Sequence, residues 1–174
     1  MKNKVLIVVL SVLYIFFMYL IQLYLIDNND IFGVKPNIIL VTCVVFTLIF
    51  GIYKGTVFSF WIGCITDLLF TQEPIFIIIY TLCALIVGLL ENDTKNDNIA
   101  FKVAVIFSAT ATFEVIQYIF YAVKSATFFN IFYLLKQIMI VSMLNVAIGF
   151  FVLKLIDVAI ELSEIRSRKN MSGF

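Results

Sequence analysis

The sequence predicts an all-α integral membrane protein, a bundle of about six transmembrane helices in a single domain, on three observations. Hydrophobic residues make up 63% of the 174-residue chain and charged ones 13%, with a mean hydropathy of +1.11, beyond the balance of an ordinary soluble domain. Apolar runs follow one another with only short polar breaks, each run close to the roughly 20 residues a helix needs to cross a bilayer. Pro36, Gly51, Gly55 and Pro74 fall between the runs or at their ends, where helices begin and stop.

The first span, about 5–26, follows Lys2 and Lys4. Its apolar run exceeds the roughly 7–15 residues of a signal-peptide core and no small-residue cleavage site follows, so it is expected to stay attached. Asp27-Asn28-Asn29-Asp30 leads to Pro36, placed in the first turn of span two (36–53), where a missing N–H costs nothing. Gly51-Ile52-Tyr53-Lys54-Gly55 breaks that run, and span three covers 56–70. Together spans two and three are barely long enough for two crossings, so they read as a short transmembrane hairpin, or as a re-entrant one. Pro74 restarts the chain into span four (74–90), and Glu91 to Asn98 is the longest polar connection. Span five covers 99–123 and span six 130–156, continuing as helix into a polar cytoplasmic tail, 161–174.

Six spans put both termini on one side of the membrane. With the termini in the cytoplasm, Lys2, Lys4, Lys54, Lys95, Arg166, Arg168 and Lys169 lie inside and only Lys35 and Lys124 in outer loops, as the positive-inside rule requires. A net charge of +1 without a long basic run argues against a nucleic-acid partner. Cys43, Cys64 and Cys83 stand singly in apolar runs and the chain has no histidine, so neither a metal site nor a histidine-dependent triad is expected, and no cofactor.

Ionisable groups inside spans cost about 2.5–3.5 kcal/mol each at mid-membrane, so they carry the most information. Glu114 is the deepest, on a helical face shared with Thr110, Gln117, Tyr118 and Tyr121 that should point into the bundle. At about 1.5 Å per residue, Glu114 lies roughly 14 Å and Lys136 roughly 9 Å below the outer ends of their spans, within reach of a lysine stem. Two arrangements fit: a Glu114–Lys136 pair, or Lys136 extending outward with Glu114 protonated or hydrogen-bonded by Gln117 or Tyr118.

Gly55, Ser59, Gly63 and Asp67 recur every fourth residue and share one helix face, which lets a neighbouring backbone approach closely. That face is the candidate protein-interaction surface, with Asp67 either making a directed contact or sitting as a wetted interfacial carboxylate. Asn145 and Gly149, four apart in span six, repeat the pattern more weakly and read as ordinary helix packing.

Lys35-Pro36-Asn37-Ile38-Ile39-Leu40, then Gly51-Ile52-Tyr53-Lys54-Gly55, then Gly63-Cys64-Ile65-Thr66-Asp67-Leu68-Leu69 and Pro74 resemble the rod shape-determining protein MreD family. In that family a proline with Asn or Asp opens the second span, glycines bracket a basic turn, and a Gly-x-x-x-Asp-Leu-Leu segment precedes a Gly/Pro turn. Pro36, Asn37, Gly51, Gly55, Gly63 and Asp67 match, whereas the segment around Pro74 lacks the usual glycines. The resemblance implies a non-enzymatic membrane scaffold of the cell-elongation complex that builds peptidoglycan and maintains rod shape. It implies as partners an MreC-like membrane protein, an MreB-like filament, a RodA-like polymerase and a class B penicillin-binding protein, besides membrane lipid. It also implies a fold similar to the substrate-binding subunits of energy-coupling-factor transporters, and with it an alternative function as a small-molecule binding subunit or transporter. Those subunits dock through an alanine-based small-residue motif on the first helix, and Met1 to Ile26 contains no alanine. An intramembrane enzyme would need paired carboxylates or a Ser/Lys or Ser/His set, and the spacing offers none.

Overall fold

In the computed structural model every element among the described residues is helical. The structure describes residues 16–26, 33–70, 74–94, 98–125 and 130–171, with side chains as far as residue 155 in the last of these. Most of the expected first span (residues 5–15) and the loops at 27–32, 71–73, 95–97 and 126–129 lie outside the described residues. The described residues form six helices: α1 (16–26, its end Gln22–Ile26 a π turn), α2 (Ile38–Phe50), α3 (Ile52–Phe70), α4 (Ile75–Thr94), α5 (Ile99–Ser125) and α6 (Ile131–Met171). By length and composition, Ile99–Ser125 and Ile131–Leu155 are each sufficient to cross a membrane. The continuation of span six as helix beyond 156 is observed, α6 running on to Met171.

The organising element is α2. Its sequence is apolar on every side, and a helix of that kind belongs in a core. Leu40, Val41, Cys43, Val44 and Val45 are buried, and α2 touches each of α3, α4, α5 and α6. With 13 residues it spans only about 20 Å, so both of its ends need satisfied backbone groups inside the bundle.

The two ends solve this differently. At the start, Asn37 rather than Pro36 closes the helix: Asn37 is the extended N-cap (φ −109°, ψ 90°) and its Oδ1 accepts the Leu40 N–H at 2.9 Å. Pro36 therefore sits just outside the helix instead of in its first turn, because a proline has no side-chain acceptor to offer and asparagine has. At the far end the expected five-residue break reduces to Gly51 alone. It holds φ 81° and ψ 171°, a region open essentially to glycine, and α3 starts at the next residue. Lys54 and Gly55 thus belong to the first turn of α3.

Successive helices from α2 onward run antiparallel. Phe46 of α2 stacks on Phe58 of α3 with ring centroids 4.1 Å apart, and a Cβ added at Gly55 would strike the side chain of Thr47. The most extensive pairing is α3 with α4. There a Cβ on Gly63 would lie 2.5 Å from Cα of Ile77, and one on Gly88 would lie 2.6 Å from Cβ of Ile52. α1 is tied to the bundle through Tyr19, whose hydroxyl donates to the Ile62 carbonyl at 2.9 Å and lies 2.6 Å from Thr66 Oγ1.

Candidate functional site

The alternation of helix directions gathers the start of α2, the end of α3, the start of α4, the second half of α5 and the first half of α6 at one end of the bundle. Polar side chains concentrate there around a cavity of about 560 Å³, within the usual range for a small-molecule site.

One wall is the start of α2, and its exposed backbone donors explain which side chains surround it. A helix begins with N–H groups that have no partner of their own, and in a buried position each must find one. Gln22 of α1 accepts the Ile38 N–H at 3.0 Å and donates to the Pro36 carbonyl at 3.3 Å. Asn145 of α6 accepts the Asn37 N–H at 3.0 Å and donates to Thr110 Oγ1 of α5 at 3.4 Å. Asn37 in turn donates through Nδ2 to the Tyr80 hydroxyl of α4 at 3.1 Å. Three amides and a phenol thereby join α1, α2, α4, α5 and α6 at one point. Asn145 is completely buried there, so its role exceeds the ordinary packing expected of it.

The opposite wall is the polar stripe of α5. Thr110 and Glu114 are buried and Gln117 and Tyr118 half-buried, as the helical spacing predicts, while Tyr121 is exposed at the cavity's edge. Of the two arrangements open to Glu114, the pair with Lys136 does not form, and neither Gln117 nor Tyr118 supplies its hydrogen bond. Glu114 Oε2 accepts from Gln137 Nε2 at 2.8 Å, and Lys136 lies exposed. One residue is about 100° of helix rotation, so when Gln137 faces α5 its neighbour turns away. The Tyr118 hydroxyl accepts the Asn130 N–H at 2.8 Å and pins the start of α6 to α5. A third surface is aromatic: Phe76, Tyr80 and Phe113 stand with centroids 5.5 to 6.1 Å apart, and Tyr133 lines the cavity from α6.

The face Gly55, Ser59, Gly63 and Asp67 lies elsewhere than expected. It is closed by the chain's own α2 and α4 and presents no surface to a partner. Ser59 is fully buried, and Asp67 accepts the first N–H groups of α4, Phe76 to Oδ1 and Ile77 to Oδ2, both at 2.9 Å. A carboxylate there satisfies two orphan donors and complements the positive end of the helix. It also explains why α4 can start directly after Pro74. Gly149 makes a softer contact: a Cβ added there would lie 2.7 Å from the Cδ1 end of Ile106.

Neither family models, nor curated proteins, nor solved structures give a match to this chain. The site therefore rests on its own geometry. Of the residues that build it, Gln22, Tyr80 and Gln137 escaped the sequence reading. Each is a polar side chain inside an apolar run, and Gln137 stood in the shadow of the charged Lys136 beside it. Among the described residues no three His, Cys, Asp or Glu side chains converge as metal ligands would.

Proposed function

We propose that the chain is a multi-pass protein of the bacterial cytoplasmic membrane with both termini in the cytoplasm. In this proposal it serves as a non-enzymatic scaffold of the cell-elongation complex, with an MreC-like membrane protein as direct partner. An MreB-like filament, a RodA-like polymerase and a class B penicillin-binding protein belong to the same assembly. The observation that supports this reading is that the residues carrying the MreD resemblance are the joints of the bundle. Asn37 caps α2, Gly51 makes the α2–α3 reversal, Gly55 and Gly63 admit the neighbouring helices, and Asp67 caps α4. Residues of this kind are retained together when a fold is retained. The exposed apolar flanks of the long helices, such as Phe132, Met143 and Phe151 of α6, suit lipid.

Mild-detergent capture of the tagged protein followed by mass spectrometry tests the scaffold directly. An MreC-like protein should co-purify in stoichiometric amount, and depletion of the chain should turn rods into spheres. Capture of a coupling ATPase module instead would favour the second reading, a small-molecule binding subunit, which the cavity of about 560 Å³ supports. Orientation is tested by cysteine labelling from outside on a background lacking Cys43, Cys64 and Cys83. Asn29→Cys and Ala126→Cys should label and Lys95→Cys should not.

A further inference from the structure

We infer that the cavity between α2, α4, α5 and α6 is a binding site for an organic ammonium ion, held by the Glu114 carboxylate within an aromatic enclosure. The inference rests on the cavity alone and stands whether the chain works as a scaffold or as a binding subunit.

Three observations point to a cation. Among the described residues Glu114 is the one carboxylate lining the cavity and is 4% exposed, yet its hydrogen bond to Gln137 engages only Oε2. An ionised carboxylate has about four acceptor sites, so a donor group entering the cavity meets open capacity on Glu114. No lysine or arginine of the described residues lies within ion-pair distance of it, and Lys136, the nearest in sequence on α6, is exposed on another face. A buried carboxylate that lacks a counter-cation gains most from a ligand that brings one.

The surrounding chemistry selects the kind of cation. Phe76, Tyr80, Phe113, Tyr118, Tyr121 and Tyr133 supply six rings to the lining, and ring faces attract an alkylammonium while excluding the water that a small inorganic cation would keep. The polar amides at the opposite wall are already engaged: Gln22 and Asn37 hold the start of α2. Lys35, the one basic residue of the lining among the described residues, is exposed at the cavity's rim. The Glu114 carboxylate therefore draws the ammonium group of a ligand inward, to the wall between α5 and α6.

Isothermal titration of the full chain in detergent with phenethylamine, 2-phenylethanol and phenylacetate compares one body carrying an ammonium, a neutral and an anionic group. Phenethylamine should bind saturably and at least about tenfold more tightly than the other two, the scale of one hydrogen bond to a charged group. Glu114→Gln should remove that preference. Equal affinity for the amine and the alcohol, or an unchanged preference in Glu114→Gln, would overturn the inference. Should Glu114→Gln not fold, Tyr121→Leu and Tyr133→Leu, which alter exposed rings, serve instead: each should weaken amine binding several-fold, and undiminished binding in both would overturn it. Repeating the titration in nanodiscs separates the sources of the ligand. Weaker amine binding in phosphatidylethanolamine than in phosphatidylglycerol discs identifies a lipid headgroup as the competitor, and equal binding identifies a free solute; both support an ammonium site. Capture of an MreC-like partner is unaffected by these results, so the scaffold proposal stands or falls separately.

Discussion

Between α3 and α4 the backbones touch: Gly63 leaves no room for a Cβ beside Cα of Ile77, and Asp67 bonds straight to the N–H groups that open α4. Between α5 and α6 polar side chains bridge the gap instead, Glu114 to Gln137, Tyr118 to Asn130 and Asn145 to Thr110. Even the glycine of that pair, Gly149, faces side-chain atoms alone, those of Ile106 and, farther off, Val41. In the first pair polar and small residues are consumed by the fold. In the second they leave a cavity beside them, with a carboxylate oxygen still available. Rigid backbone contact thus shapes one half of the bundle, and adaptable side-chain contact leaves the other free to bind.

Substitutions can break that contrast, and the largest effect belongs to Gly63→Ala. The neighbouring atoms are backbone and cannot rotate away, so a loss at the top of the roughly 1–3 kcal/mol range for overpacking is expected, read as a lower melting temperature in detergent. Gly149→Ala, opposed by a side-chain methyl that can turn, should cost less than about 1 kcal/mol by the same principle. Equal effects would erase the distinction between the two helix pairs.

Asp67→Leu comes next. It strands two part-buried N–H groups at the start of α4; a bond to a charged group is worth about 1.5–3 kcal/mol, and because water reaches these donors the net loss for the pair should stay within that range. The variant should therefore fold poorly, and lost partner capture would then report misfolding rather than a damaged interface. A well-folded Asp67→Leu protein lacking only its partner would restore the docking face.

A smaller loss is expected from Gly51→Ala. Nothing lies within 4 Å of a Cβ at that position, so the cost is backbone strain alone, about 1–3 kcal/mol. Asparagine should not rescue it, since asparagine tolerates the left-handed helical region whereas Gly51 combines φ 81° with ψ 171°. The smallest signal separates the two candidate partners of Glu114. A double-mutant cycle of Glu114→Gln with Gln137→Leu should show coupling of about 0.5 kcal/mol or more, and the cycle with Lys136→Met should be additive within that margin.

Much of this architecture can be read from residue order. The helices α2 to α6 fall close to the expected spans, and the stripe Thr110, Glu114, Gln117 and Tyr118 points inward as its spacing requires. Such features are local: a run of apolar residues, a spacing of three and four, or a glycine between two runs fixes them without reference to the rest of the chain. The choice of partner is different in kind. Whether Lys136 or Gln137 meets Glu114 depends on about 100° of rotation, and a span boundary uncertain by one residue leaves that undecided. Whether Gly63 receives another protein or the chain's own α4 depends on how α4 folds back, which the spacing on α3 does not contain. Asn37 and Asn145, more than a hundred residues apart, meet only because α2 is too short to keep its end in water. Residue order sets the helices and their inward faces; packing sets which faces meet, because a buried backbone N–H donates to whichever side-chain oxygen is brought within about 3 Å of it.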